Sequence, residues 1–167
     1  SADRYASEFM AAPAPDGTSL ALVYRGFGLS QWWRKGRSHL DESEIWLMRD
    51  PASGTAQYEQ LAGRGAKQLW PMWSADGKSL YFVSDRDGAQ NVWVRPGSAA
   101  PKPVTRFKDG RVLWPSLSHN GKTMVVERNF AIWSVDPGSG QAKEVPITLR
   151  GAGVAPAVEH QVLTSGF

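Results

Sequence analysis

Two stretches of the chain repeat each other closely enough to restrict the fold. WPMWSADGKSLYFV begins at Trp70, and WPSLSHNGKTMVVE begins at Trp114, 44 residues later. Both open with Trp-Pro and then place a serine, an Asp-Gly or Asn-Gly pair and a lysine at the same spacing. A looser copy, AAPAPDGTSLALVY, carries the turn pair Asp16-Gly17. The chain therefore contains three copies of one unit, and such self-similarity indicates a repeat architecture.

Each copy continues with two more apolar runs. The second run contains a tryptophan in every copy, at Trp46, Trp93 and Trp133, and the third run reads AQYEQL, KPVTRF or KEVPIT. Runs of about 5–7 residues that are rich in β-branched and aromatic types and bounded by Gly, Pro, Asp and Asn are typical of strands. The Asp-Gly and Asn-Gly pairs favour tight hairpins, because the central residues of such turns need positive φ. We therefore predict four antiparallel strands in each unit.

Four antiparallel strands repeated about every 40–45 residues are typical of a β-propeller blade. We predict an all-β fold, a β-propeller segment of about three four-stranded antiparallel blades, which forms a single partial domain over residues 1–167. The expected boundaries are about 8–62 for blade one, 69–107 for blade two and 112–149 for blade three, with 150–167 connecting to a further strand.

The composition restricts the function more than it defines it. Hydrophobic residues make up 41% of the chain, and the net charge of +3 comes from 19 basic and 16 acidic residues that are scattered along it. We therefore expect no nucleic-acid partner. No apolar run approaches the ~20 residues of a membrane helix, so membrane insertion is not expected either. Without cysteine there is no disulfide or thiolate chemistry, which fits the cytosol or a bacterial periplasm.

The second copy resembles a known repeat. WSADGKSLYFVSDRDGAQNVWV resembles the Trp-Ser-Pro-Asp-Gly-Lys repeat, of the WD40-like PD40 type, found in TolB-like propellers and in the N-terminal domains of tricorn-like proteases. QWWRKGRSHLDESEIW and VVERNFAIWSVDPGSGQAKEVPI resemble the propeller region of bacterial tricorn-related peptidases of the S41 class. The resemblance implies a larger propeller of six or seven blades in a periplasmic or secreted bacterial protein, although a cytoplasmic location remains open.

The resemblance also implies a function. It implies a non-catalytic module that binds a polypeptide substrate or a protein partner, or that gates substrate entry in a tricorn-like protease. Two alternatives stay open. One is a TolB-like periplasmic scaffold for protein interactions. The other is the binding portion of an enzyme, a peptidase or an amidohydrolase, whose catalytic domain lies outside this chain.

No catalytic site is evident in the sequence. The chain has three histidines and no Gly-x-Ser-x-Gly nucleophile elbow. His119 lies in SLSHNGK beside the Asn-Gly turn, where a polar turn residue is the simplest interpretation. We expect no catalytic residue and no cofactor in this chain.

The first copy contains an insertion, residues 27–44, that the other two lack. From the turn aspartate to the second-run tryptophan is 30 residues in copy one (16 to 46), against 17 (76 to 93) and 13 (120 to 133) in the others. Long loops on a rigid scaffold often carry function. Its aromatic and charged side chains suit the binding of an extended peptide by stacking and carboxylate pairing. The candidate peptide-binding residues are Trp32, Trp33, Arg34, Arg37, His39 and Asp41.

A purely structural role for the insertion is the alternative. Trp32 or Trp33 would then pack on a neighbouring blade, while the opposite charges neutralise each other in solvent. His39 and Asp41 share one face of an extended segment, as two metal ligands would, but no third ligand is identifiable, so we expect no metal site.

Three blades cannot close a ring, since closed propellers use about 4–8. We expect Trp46, Trp93 and Trp133 to pack between blades. Trp70 and Trp114 should begin the strands nearest the channel, where they either line it or, as the simpler interpretation, pack in the core. An open arc leaves two sheet faces uncovered, and we expect both to be apolar. The predicted partner of these faces is a second copy of the chain, as a homodimer, or the remainder of a larger propeller.

Overall fold

The structure is a computed structural model that describes residues 6–26, 42–63, 65–148 and 151. These residues form twelve strands and no helix. The strands are β1 (Ala6–Pro13), β2 (Ser19–Gly26), β3 (Glu44–Arg49), β4 (Gln57–Ala62), β5 (Gln68–Trp73), β6 (Ser79–Ser84), β7 (Asn91–Pro96), β8 (Lys102–Pro103), β9 (Leu113–Leu117), β10 (Met124–Arg128), β11 (Ala131–Val135) and β12 (Ala142–Glu144).

The strands form three antiparallel sheets of four, each built from consecutive strands in sequence order. The first sheet contains β1–β4, the second β5–β8 and the third β9–β12. The first strand of each sheet contacts the first strand of the next, so β5 lies between β1 and β9. The predicted all-β architecture of three four-stranded antiparallel units is confirmed.

Each sheet has two distinct ends. At the turn end, residues 14–18, 74–78 and 118–123 join the first strand to the second. At the opposite end, which we call the linker end, the chain passes from one sheet to the next and the second strand connects to the third. The connection between β2 and β3, which holds the predicted insertion, therefore leaves and re-enters the first sheet at the linker end.

The turns owe their shape to short polar side chains. In the second sheet, the Ser74 hydroxyl donates to Asp76 Oδ1 (2.6 Å), and the Lys78 backbone N–H donates to the same oxygen (3.0 Å). The Ser79 N–H donates to Ser74 Oγ (2.9 Å). The two bonds to the carboxylate, from Ser74 above all and then from Lys78, lower the pKa of Asp76 below its usual 3.8. The turn is thus fixed by an ionised carboxylate and one hydroxyl.

Two hydrophobic cores hold the sheets together, and each lies between neighbouring sheets. Phe82, fully buried between the first and second sheets, is one of the largest side chains in the cores. The core between the first and second sheets contains Ala21, Ile45, Leu47, Leu61, Ala62, Leu80, Phe82 and Trp93. The core between the second and third sheets contains Val83, Val92, Val112, Met124, Val126 and Val135. Burial of each such large side chain contributes about 1.5–3 kcal/mol.

The third-strand tryptophans occupy equivalent positions in the three sheets. Trp93 is buried in the first core, and Trp133 packs against the second, so each faces the preceding sheet as predicted. An arginine lies over each ring: Arg86 over Trp93 at 4.7 Å and Arg128 over Trp133 at 5.5 Å from the ring centroid. Trp46 is paired with Leu22, on the face of the first sheet that points away from the second.

The outward face of the third sheet is less apolar than predicted. One row of cross-strand partners there reads Ser116, Val125, Ser134 and Lys143. The equivalent row of the second sheet, which faces the third, reads Met72, Tyr81, Val94 and Lys102. Serines thus stand where the second sheet has Met72 and Val94. The outward face of the third sheet is therefore more polar than the equivalent face of the second.

Candidate functional site

The residues predicted to bind peptide lie outside the described part of the chain. They are Trp32, Trp33, Arg34, Arg37, His39 and Asp41. Their role stays a prediction. The ends of β2 and β3 that flank them lie at the linker end of the first sheet, where Tyr24 pairs with Glu44.

A β-bulge interrupts the first strand of every sheet, β1, β5 or β9, near the linker end. We call these three the innermost strands, because they contact one another. In the second sheet, three residue steps from Leu69 to Met72 span the same length as two steps from Val83 to Tyr81. The first and third sheets show the same three-for-two mismatch. The bulge residues have left-handed backbone, with φ of 51° at Met10, 53° at Trp70 and 48° at Trp114. This feature was not predicted from the sequence.

Placing tryptophan in this conformation has a cost. A residue with a Cβ loses about 1–2 kcal/mol in the left-handed region, and such strain persists where the surrounding structure enforces it, often at functional sites. Pro71 and Pro115 follow Trp70 and Trp114 and tolerate a bulge, because proline has no N–H to contribute to the ladder. The Trp-Pro pair is therefore the sequence signal that could have revealed the bulge.

The bulges bring two tryptophan rings together across the second and third sheets. The centroids of Trp70 and Trp114 lie 5.9 Å apart with a tilt of 58° between the ring planes. Trp70 packs on the core between these sheets, while Trp114 is 69% exposed. Because bulges redirect side chains, the pair forms an aromatic surface on the innermost strands. We call Trp70 and Trp114 the inner tryptophan pair.

The residues beside the predicted polar turn have structural roles. The Ser118 hydroxyl donates to Asn120 Oδ1 (2.8 Å) and accepts from the Thr123 N–H (3.0 Å), as Ser74 does in the second sheet. His119 is exposed in the same turn. Within residues 6–26, 42–63, 65–148 and 151, no cluster of three His, Cys, Asp or Glu side chains could hold a metal ion.

Comparisons with known proteins identify the architecture. No protein-family model matches the sequence, and no curated protein matches it significantly. Among solved structures, a protein of Agrobacterium tumefaciens described as TolB superimposes with a TM-score of 0.64 at 19% identity, over 85% of this chain and 50% of that one. The chain has a TolB-like β-propeller fold. The three sheets are therefore blades, and their first strands β1, β5 and β9, two of which carry the inner tryptophan pair, are the strands nearest a propeller's channel.

Two further structures extend this likeness. TolB of Acinetobacter baumannii superimposes on this chain with a TM-score of 0.60 at 22% identity, over 84% of this chain and 33% of that one. The tricorn protease matches with a TM-score of 0.55 at 14% identity, over 81% of this chain and 12% of that one. The chain thus spans half or less of the length of these proteins. No helix in its described part is long and apolar enough to cross a membrane.

Proposed function

We propose that this propeller segment is a non-catalytic module that binds a polypeptide through the inner tryptophan pair. The observation that supports the proposal is that the equivalent residues Trp70 and Trp114 both have strained, left-handed backbone, and that Trp114 is largely exposed. Tryptophan is among the residues that contribute most to binding free energy at protein interfaces. We infer that the bulge presents the exposed Trp114 ring on the channel side of the blade, where a polypeptide could contact it.

The insertion adds to the proposed surface. Its flanking strands end at the linker end of blade one, the same end near which the bulges lie. Trp32, Trp33 and Arg34 would then extend the aromatic surface and add positive charge for a carboxylate partner. This part of the proposal is tested by replacing Trp32 and Arg34 with alanine, which should weaken binding without changing the free energy of unfolding.

Two biological settings fit such a module. The likeness to the tricorn protease supports a role in admitting polypeptide substrates to a peptidase. The likeness to TolB supports a periplasmic scaffold that contacts other proteins. Of these two settings we favour the periplasmic interaction module, since the TolB structures give TM-scores of 0.64 and 0.60 and the tricorn protease gives 0.55.

Site-specific photo-cross-linking tests the binding surface. The chain would carry benzoylphenylalanine in place of Trp114, and a control chain would carry it in place of Tyr58, which is half-exposed on the outer strand β4. We expect a partner protein to be cross-linked from position 114 and none from position 58. An excess of unlabelled wild-type chain should reduce the cross-linking from position 114, whereas an excess of the double variant Trp70→Ala/Trp114→Ala should not. Equal labelling from both positions would show that the inner strands are not the binding surface.

The same cross-link distinguishes the settings. Incubation with a bacterial envelope extract and with a cytosolic extract in parallel should give the adduct from the envelope alone if the scaffold role is correct. A peptidase assay on an unstructured polypeptide tests the non-catalytic claim. Turnover that disappears in Ser118→Ala or His119→Ala would contradict it.

A further inference from the structure

A cleft of about 800 Å³ opens between the first and second blades at the turn end, away from the inner tryptophan pair. Its apolar lining comes from both blades and includes Leu47, Leu61, Trp73 and Leu80. Its charged lining includes Arg49, Glu59, Lys78 and Arg95. An apolar cleft with a few convergent polar groups is the usual form of a binding site for a small ligand or a peptide side chain.

Arg95 is the central charged group of this cleft. Its side chain is 14% exposed, and within the described part of the chain its one ion pair is with Glu59 Oε1 at 3.5 Å. The other oxygen of Glu59 accepts a shorter bond of 2.9 Å from Arg49. A guanidinium has five N–H donors in a planar fork that suits a carboxylate. Arg95 therefore keeps donor capacity for a further anionic partner.

The propeller fold does not require arginine at this position. When the third-strand tryptophans Trp93 and Trp133 are aligned, Arg95 of blade two is equivalent to Val135 of blade three. Val135 is fully buried in the second core. The corresponding cleft between blades two and three is smaller, about 330 Å³, and the described residues that line it include no arginine. Burying a guanidinium costs desolvation free energy that valine would avoid. The arginine is thus a local feature of the first cleft.

The surrounding charges restrict the ligand. Asp16 and Asp76 stand at the mouth of the cleft, and each accepts backbone N–H bonds within its own turn. These bonds lower the pKa of both carboxyls, the Thr18 N–H acting first on Asp16 and the Ser74 hydroxyl on Asp76. Two fixed negative charges disfavour a doubly charged phosphate. A singly charged carboxylate that reaches Arg95 meets less repulsion.

We propose that this cleft binds a polypeptide segment that carries a carboxylate beside an aliphatic side chain. The carboxylate accepts hydrogen bonds from Arg95, and the aliphatic side chain lies against the partly buried Trp73, above the buried Leu47, Leu61 and Leu80. The carboxylate comes from a chain terminus or from an aspartate or glutamate side chain. The site is independent of the channel surface, because it lies at the opposite end of the blades.

NMR titration of the ¹⁵N-labelled 167-residue chain tests this site. The probes are acetyl-Gly-Gly-Leu with a free carboxylate, the same peptide as its amide, and acetyl-Gly-Glu-Leu amide. The indole N–H of Trp73, which donates to Ala12 O at 3.1 Å, reports on the cleft lining. We expect the free acid to shift this resonance and to bind about tenfold or more tightly than the amide, since charge-assisted hydrogen bonds are lost with the carboxylate. Binding of the glutamate peptide would assign the carboxylate to a side chain, and its failure to bind would assign it to a chain terminus.

Substitution at Arg95 completes the test. Arg95→Val introduces the residue that blade three has at this position, and we expect it to weaken binding of the free acid about tenfold while the spectrum stays that of a folded chain. Arg95→Lys should retain part of the affinity, and Arg111→Val, an exposed control, should retain all of it. Equal affinity of acid and amide for the wild-type chain, or unchanged affinity in a folded Arg95→Val variant, would overturn the proposal.

Discussion

The hairpins between the first and second strands of the three blades form the same turn with different side chains. Asp16 accepts from the Thr18 and Ser19 N–H groups, and Asp76 accepts from the Ser74 hydroxyl and the Lys78 N–H. In blade three, Asn120 takes the place of the aspartate and accepts the equivalent bonds. The turn therefore needs an acceptor oxygen at this position, and it does not need a charge.

This difference predicts how stability depends on pH. The pKa of Asp76 is lowered in the folded chain, so its stabilising effect is complete above the usual value of 3.8 and is lost as the pH falls through the lowered pKa. Asp76→Asn should remove that part of the acid sensitivity, because asparagine does not titrate. Urea unfolding between pH 6 and pH 2 should therefore give a flatter profile for the variant.

Alanine substitutions at Gly17 and Gly140 would distinguish the cost of backbone strain from the cost of steric overlap. Gly17 and Gly140 have similar positive φ values of 70° and 74°, but a Cβ at Gly17 would meet nothing nearby, whereas a Cβ at Gly140 would overlap the Val104 carbonyl oxygen. We expect Gly17→Ala to cost about 1 kcal/mol from strain alone. Gly140→Ala should cost clearly more in the same chemical denaturation experiment. Equal losses would mean that the 137–140 loop moves freely away from Val104.

At the scale of the strands, each blade contacts its neighbours through a separate core. Phe82→Ala removes a fully buried ring from the core between blades one and two, and such changes cost about 3–5 kcal/mol. Because blades of a repeat protein are stabilised chiefly by adjacent blades, the loss of hydrogen-exchange protection should be largest in β2, β3, β6 and β7. Protection lost equally in β10 and β11 would show instead that the three blades unfold as one unit.

The strands themselves could largely be predicted from the sequence, because their apolar runs and turn residues are local. The fourth strands of blades two and three are shorter than expected, and β8 shows a physical reason. In KPVTRF only Lys102–Pro103 pairs as β8, since Asn91 Oδ1 accepts from the Phe107 N–H (2.7 Å) and Thr105 Oγ1 accepts from the Val92 N–H (2.9 Å). Side chains thus replace backbone partners there.

The candidate sites could not be predicted in the same way. The first cleft depends on Glu59 and Arg95, which are 36 residues apart and meet only when two blades pack. The inner tryptophan pair depends on a bulge, and a bulge changes the alternation that sequence analysis relies on. Of the site residues, the equivalent Trp-Pro pairs were visible, but their left-handed backbone was not.

At the scale of the whole molecule, the outward face of blade three is more polar than the equivalent face of blade two. The triple variant Ser116→Met/Glu127→Val/Ser134→Val gives this face the side chains that blade two has at the equivalent positions. We expect the variant to self-associate at tens of micromolar to a greater degree than the wild-type chain, because exposed apolar patches act as interfaces. Light scattering after size exclusion measures the difference. A control triple, Ser116→Thr/Glu127→Gln/Ser134→Thr, should behave as wild type.

The bulges also determine where the chain tolerates a change of length. Across each bulge, the pairing register between the innermost strand and its neighbour shifts by one residue. Loss of one bulge residue, such as Pro71, would return the two strands to a uniform ladder and leave every other side chain on its present face. Loss of a residue elsewhere in the strand would exchange its buried and outward faces. A single deletion is therefore least disruptive at the bulge, the same place in all three blades.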